Sequence, residues 1–325
     1  MESIRHQQIY DELLAAQHPV FISDERIDGD SLGSALAMVD FMKQHGHPRP
    51  PVYVASSIPE IYQSLPHLDV CTQDRQIFDD STIDLLVVFD CSDAQYVSDL
   101  LKLIPNSPRI INMDHHKTNT LYGHINQVIV GSPATAEVVY CFFEHHKLIP
   151  SKSAAICLLT GLCFDTTAFS NSGTNERAFY VASQLVLSGA SVHDVIRAMF
   201  KNRSIAALRV WGIALERLHY HPEFDCIITC LTQKDIQDNH VADEEVDGLS
   251  NFLSLVTDTD SLYVLRETSD REVKVSMRSS SRDVSAIAKL HGGGGHEKAA
   301  GYAIKNAWLM PGGDGIWRVV EGVAK

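Results

Sequence analysis

The chain has 325 residues, 45% of them hydrophobic and 21% charged, and its 41 acidic against 27 basic side chains give a formal net charge of −14. That length accommodates two domains, and the acidic balance excludes a broad basic surface of the kind that coats long nucleic acids by displacing counterions. No apolar run approaches the roughly 18 residues of a membrane span, and the opening MESIRHQQIYDELL lacks the basic-then-apolar layout of a secretion signal, so a cytoplasmic protein with no membrane partner is expected.

Glu2 to Gln17 reads as an amphipathic helix, followed by a short apolar strand, Pro19 to Ser23. Ser31 to His45 is a helix with Leu32, Leu36, Val39 and Phe41 as its apolar stripe. Pro51–Ser56, Leu85–Asp90 and Arg109–Asp114 read as three further strands, and LLVVF is apolar without alternation, as burial on both faces requires. Helical stretches lie between them, which points to a mainly parallel α/β sheet flanked by helices. Residues 133–147, 151–164, 174–188, 191–201 and 204–218 read as helices, the last two as a helical connector. The texture then changes to strands in FDCIITCL, SLYVLRE and EVKVSMRS, a helix over Asp283–Leu290 and a final strand in AAGYAIK, giving a smaller C-terminal α/β domain. The expected division is 1–190, a connector over 191–222, and 223–325. Seven scattered cysteines without a CxxC pair read as reduced, mostly buried thiols.

Acidic residues stand at the ends of three of these strands: Asp24, Asp28 and Asp30 after PVFIS, Asp90 after LLVVF, and Asp114-His115-His116 after RIINM. Ligands of open α/β sheets bind beyond the carboxyl ends of the strands, so these ends converge on one crevice. A further acid, Asp165, stands in GLCFDTT. On its own, Asp28-Gly29-Asp30 reads equally well as a turn before a helix with Ser31 as cap. Taken jointly, several carboxylates aimed into one crevice repel each other unless cations neutralise them. With two imidazoles added, the donor set suits Mn²⁺, with Mg²⁺, Fe²⁺ or Co²⁺ as alternatives, and a pair of such ions activates water against a phosphoester.

A second cluster is HGGGGHEKAAG, from His291 to Gly301. Four glycines lower stability through backbone entropy, so they read as a loop that presents successive amides to an anion rather than as packing. Arg278, in KVSMRSS, is a candidate phosphate clamp, with Arg203 and Lys298 as weaker ones.

At this point the chain resembles the DHH phosphoesterase superfamily. DGD (28–30), Asp90 of FDCSD, the DHH triplet (114–116) and Asp165 stand in the order of its four motifs. VSMRS, DVSAIA and GGGGHEKAAG resemble the DHHA1 substrate domain. Length and layout are most similar to the bifunctional oligoribonuclease/phosphoadenosine-phosphate phosphatase branch. The resemblance implies two divalent metals: one held by Asp24, Asp28 and Asp90, the other by Asp30, Asp90, His115 and Asp165. It implies that Asp90, His115 and His116 carry the chemistry, and that His116, Arg278, Gly293, Gly294, Gly295, His296 and Arg203 contact the substrate. The implied substrates are short RNA, linear dinucleotides of the pApA type and 3′-phosphoadenosine 5′-phosphate; a homodimer stays open. Cyclic-dinucleotide hydrolysis and non-catalytic nucleotide binding are the competing readings. One departure bears on them: where the family has histidine and proline, this chain has Asp24 and Ile27.

Overall fold

Burial on both faces of a parallel sheet organises the first half of the chain. The structure, a computed structural model, describes residues 2–171, 173–200, 204–257, 259–313 and 316–322, and it divides into two units, 1–202 and 203–325. The first unit begins with helix α1 (Glu2–Ala15), strand β1 (Pro19–Ile22), α2 (Gly29–Gln44), β2 (Val52–Tyr53), β3 (Cys71–Thr72) and β4 (Leu85–Phe89). It continues with α3 (Ala94–Leu101), β5 (Arg109–Asp114), β6 (Ile125–Val128), α4 (Thr135–His145), α5 (Lys152–Asp165), α6 (Glu176–Leu187) and α7 (Val192–Phe200). Six strands form one sheet in the order β3-β2-β1-β4-β5-β6, and every pairing is parallel. The expected second strand shrinks to two residues. The two outermost strands, β3 and the half-polar INQV of β6, carry no apolar run that would announce them.

Alternate residues of each central strand feed two cores. Val20, Ile22, Leu86, Val88 and Ile110 pack with Tyr96, Val97 and Leu100 of α3 on one face. Phe21, Val87, Phe89, Ile111 and Met113 pack with α1, α2, α4 and α5 on the other. Helix α2 is buried from Gly29 to Met42, so it cannot show a one-sided apolar stripe. It crosses α5 at backbone contact: a Cβ added at Gly33 would lie 2.4 Å from the Cys157 carbonyl oxygen. Because that neighbour is main chain, Gly33→Ala should cost about 1–3 kcal/mol, read as a lower urea midpoint; an unchanged midpoint would contradict this crossing.

On α1, His6 is buried, its ring stacked 5.0 Å from that of His145. Burial, together with His145 and His146, pulls its imidazolium down to about 4 from an ordinary 6.5. Between those values the unfolded chain holds a proton that the folded chain rejects, so stability falls as pH drops from 6.5 toward 4. His6→Leu should flatten that part of the stability–pH curve, and identical slopes for the two proteins would rule the explanation out.

The second unit contains α8 (Ile205–Glu216), β7 (His219–His221), β8 (Cys226–Leu231), α9 (Gln233–Asp238), α10 (Leu249–Val256), β9 (Ser261–Glu267) and β10 (Glu272–Ser279). It ends with α11 (Val284–Leu290), β11 (Gly294–His296), β12 (Ala299–Lys305), β13 (Ala307–Pro311) and β14 (Trp317–Glu321). Its main sheet runs β11-β12-β10-β9-β8-β7, and β13 and β14 form a separate hairpin. Only the β8–β9 pairing is parallel. The stretch read as a connector is parted between the units. Val195 of α7 packs into the first core, whereas Ala207, Val210, Trp211 and Ala214 of α8 join α10 and β9 in the second. Each helix follows its own apolar side. No helix among the described residues is long and apolar enough to cross a membrane.

Candidate metal centre

The loop after β1 is shaped by its own acids. Asp28 is the N-cap of α2: its Oδ1 accepts the Asp30 and Ser31 amides at 3.0 and 2.8 Å, and Ser31 closes the capping box. The cap is therefore Asp28, not Ser31. Asp24 accepts the Arg26 amide at 2.8 Å.

Asp30 is fully buried, and its carboxylate accepts two amides from the start of α4, those of Thr135 and Ala136. Helix α4 has Ala134 at its N-cap and no side-chain cap of its own, so a residue of α2 supplies it. Thr135 also donates its hydroxyl to Asp90 Oδ1 at 2.8 Å. One residue thus holds two of the acids, and nothing in the local sequence marked it. Gly161 of α5 leaves the space, since a Cβ there would stand 2.5 Å from Asp30 Oδ1.

Asp90 follows β4 in a left-handed conformation, φ 60°, with its amide bonded to the Met113 carbonyl of β5 at 2.9 Å. Asp114 takes a different part. Its Oδ1 accepts the His115 and His116 amides and His116 Nδ1 at 2.7, 3.1 and 2.7 Å, and its Oδ2 accepts the Asn119 amide group. Asp114 is spent on holding the two histidines. His115 donates Nδ1–H to the Ser132 carbonyl at 2.9 Å, which turns Nε2 toward Asp165 Oδ2 at 3.1 Å and Asp90 Oδ1 at 3.6 Å.

Burial dominates the electrostatics. It raises Asp30 and Asp90 well above the carboxylate range, with neighbouring acids adding to the effect. Burial and Asp165 push Asp28 up to about 7, against the hydrogen bonds from Ser31. Burial also pushes Asp114 upward, but the bonds from His116 and Asn119 outweigh it and hold this acid below its ordinary value. For His115 burial pulls downward, and Asp165 overrides it to push the imidazolium up to about 10.

Among the described residues two compact donor groups form, Asp90–His115–His116 and Asp30–His115–Asp165, with ligand atoms in each within 4.8 Å of one another. Asp24 and Asp28 lie outside both, and His116 lies inside the first rather than only facing a substrate. No lysine or arginine among the described residues pairs with Asp24, Asp28, Asp30, Asp90 or Asp165. Carboxylates without a lysine or arginine partner among the described residues, and with an imidazole nitrogen aimed among them, fit divalent metals of the Mn²⁺ type.

The second unit holds the remaining expected residues. Arg278 Nε and Nη2 donate to Asn251 Oδ1 at 2.8 and 2.6 Å, and Nη1 donates to the Met277 carbonyl at 2.8 Å. Asn251, on α10, was not expected from the sequence. No carboxylate among the described residues pairs with Arg278, and burial lowers its guanidinium to about 10. His296 and Arg278 both stand opposite Ala299, on its two sides.

The glycine run differs from the expected anion loop. The Gly292 and Gly293 amides close the end of α11 on Lys289 and Ala288, and Gly294 and Gly295 pair with β12. A Cβ at Gly293 would fall 2.2 Å from the Gly301 carbonyl oxygen, and Gly295 has φ +135°. These two glycines serve close packing and backbone conformation. Arg203 lies outside the described residues, and Lys298 bonds the Arg282 carbonyl and pairs with Glu297.

The DHH family N-terminal domain matches residues 19–162, and the DHHA1 domain matches residues 236–312. The chain carries a DHH domain and a DHHA1 domain. It is 28% identical to the bifunctional oligoribonuclease and PAP phosphatase NrnA of Thermus thermophilus, over 90% of this chain and 86% of that protein. It is 20% identical to the protein of that name from Bacillus subtilis, over 93% and 92%. An exopolyphosphatase-related protein from Bacteroides fragilis shares the fold, with TM-score 0.84 at 20% identity, covering 92% of this chain and 90% of that one.

Protons and divalent cations compete for the same DHH-domain groups. Mn²⁺ uptake should release protons, and its affinity should rise as pH climbs through about 7, the value to which Asp28 is pushed. Calorimetric titrations at pH 6 and pH 8 in buffers of different ionisation enthalpy check this; a pH-independent affinity would refute it.

Proposed function

We propose that this DHH/DHHA1 chain is a two-metal phosphoesterase that cleaves short oligoribonucleotides and linear dinucleotides of the pApA type to mononucleotides, and removes the 3′-phosphate of 3′-phosphoadenosine 5′-phosphate. The chain is a hydrolase. The observation that carries the finer reading is the convergence of Asp30, Asp90, His115 and Asp165, with no lysine or arginine among the described residues paired to the three acids. The names of the Thermus and Bacillus relatives, matched over most of their length, point the same way.

In this reading Asp24, Asp28 and Asp90 hold one metal and Asp30, Asp90, His115 and Asp165 the other, with Mn²⁺ preferred over Mg²⁺ or Co²⁺. When bound, such ions lower the pKa of water and neutralise phosphoryl oxygens. The chain's own contribution is orientation. The α4 amides hold Asp30, Thr135 holds Asp90, and the Ser132 carbonyl fixes the His115 tautomer. His116, held through Nδ1 by Asp114, contacts the reacting phosphate. Arg278, braced by Asn251 and paired with no carboxylate among the described residues, takes a further phosphate of the substrate, and His296 stands in register with it across Ala299. Arg203 completes the substrate contacts.

Asp24 and Asp28 stand outside both compact donor groups, which favours a second reading in which the first metal site is weak and turnover slow. Metal-stripped protein incubated with pApA, with and without Mn²⁺, separates the two. Mn²⁺-dependent release of AMP is expected, and no turnover unless Asp24→His is introduced would select the weakened site. Absence of turnover in both proteins would overturn the hydrolytic assignment for this substrate. Arg278→Ala should raise KM for pApA roughly tenfold to a hundredfold, the worth of a charge-assisted phosphate contact, with kcat changed less; an unaltered KM would remove Arg278 from the site.

A further inference from the structure

The imidazole of His115 is aimed by a carbonyl, and that carbonyl belongs to a residue anchored from outside the strand-end motifs. The hydroxyl of Ser132 bonds the Ala134 carbonyl at 2.8 Å and also the carboxylate of Glu137. Glu137 is 5% exposed, in the first turn of α4, where an acid ordinarily folds back on its own helix cap. Here it reaches Ser132 instead. Its other oxygen, Oε1, accepts Arg177 Nε from α6 at 2.9 Å, and Arg177 is held in turn by Glu144 and lies 4.9 Å from the centre of the Tyr180 ring.

The turn braced in this way does more than aim His115. The Ser132 amide bonds the Ile129 carbonyl, the Ile129 amide bonds the Asp114 carbonyl, and the Gly131 carbonyl accepts from the Asn175 side chain at 3.3 Å. Three residues beyond Ser132 stands Thr135, which holds Asp30 and Asp90. Movement of the 129–135 segment would therefore displace the His115 ring and the supports of two carboxylates together. A glutamate this buried is costly unless paired, and its arginine and serine partners give it one arrangement.

We propose that Arg177, Glu137 and Ser132 act as a positioning relay, fixing the orientation and tautomer of His115 so that affinity for a divalent cation is set from the α4–α6 face. This rests on the metal-site reading above. Residues that hold a ligand histidine through its second nitrogen are worth about 10–100-fold in metal affinity.

The test is a titration of metal-stripped full-length protein with Mn²⁺, following free Mn²⁺ by electron paramagnetic resonance, alongside thermal melts of the metal-free proteins. Ser132→Ala and Glu137→Gln should each weaken one of the two Mn²⁺ sites by roughly 10–100-fold. Ser132→Thr, which keeps the hydroxyl, should restore it, and the Ser132→Ala melt should stay close to that of the parent. Wild-type protein that binds Mn²⁺, with variants that bind it equally while melting earlier, would reduce the relay to a packing role and overturn the proposal alone. Wild-type protein that takes up no Mn²⁺ would overturn the metal-site reading and the relay with it.

Discussion

Several carboxyl groups are buried together at the carboxyl edge of the parallel sheet, with two histidines but no lysine or arginine paired to them among the described residues, and the architecture of the DHH domain is arranged around that constraint. Desolvation and mutual repulsion both disfavour the ionised acids, as the upward displacement of Asp28, Asp30 and Asp90 records. The domain answers with main-chain dipoles and with the His115 imidazole rather than with lysine or arginine side chains. The first amides of α2 point at Asp28 and those of α4 at Asp30, where a helix carries its partial positive charge. Such donors hold a carboxylate in place without neutralising it, so the site keeps its appetite for external cations.

Close packing is what brings those dipoles into range. Helix α2 has no solvent face, and Gly33 and Gly161 let it approach α5 at main-chain distance. The same approach leaves room at Gly161 for the Asp30 carboxylate. Core packing and site geometry therefore meet at Gly161, where a methyl group would intrude on both. The division of labour within the triplet 114–116 follows similar logic. Asp114, bonded to both histidines and to Asn119, becomes the stabilised and lowered acid of the group, while the imidazoles face the unstabilised ones.

In the DHHA1 domain the corresponding economy is seen at Arg278. A half-buried guanidinium satisfied by an amide oxygen and a carbonyl retains its charge and has no counter-ion among the described residues. The glycine run beside it ends α11 and starts β11, and its amides are largely spent within the fold. Composition alone suggested an anion loop because glycine serves turns, close contacts and anion nests alike. Only the positions of Gly301 and Tyr302 distinguish them.

The parallel sheet, the run of helices and the change to a strand-rich second half were legible because apolar period and β-branched runs are local properties. The acids at the ends of β1, β4 and β5 were legible for a related reason: in a parallel α/β sheet, strand ends on one edge necessarily meet. The edge strands β3 and β6, too short or too polar to leave a period, were not. Nor were Thr135, Ser132, Glu137 and Asn251, whose contacts join residues distant in the chain through hydrogen bonds that no spacing encodes. The chain by itself determined which chemical groups are present and which edge of the sheet they occupy. Tertiary structure decided which of them face one another, which are consumed as helix caps, and which remain for a ligand, because those choices depend on distances between elements that are set only when the core packs.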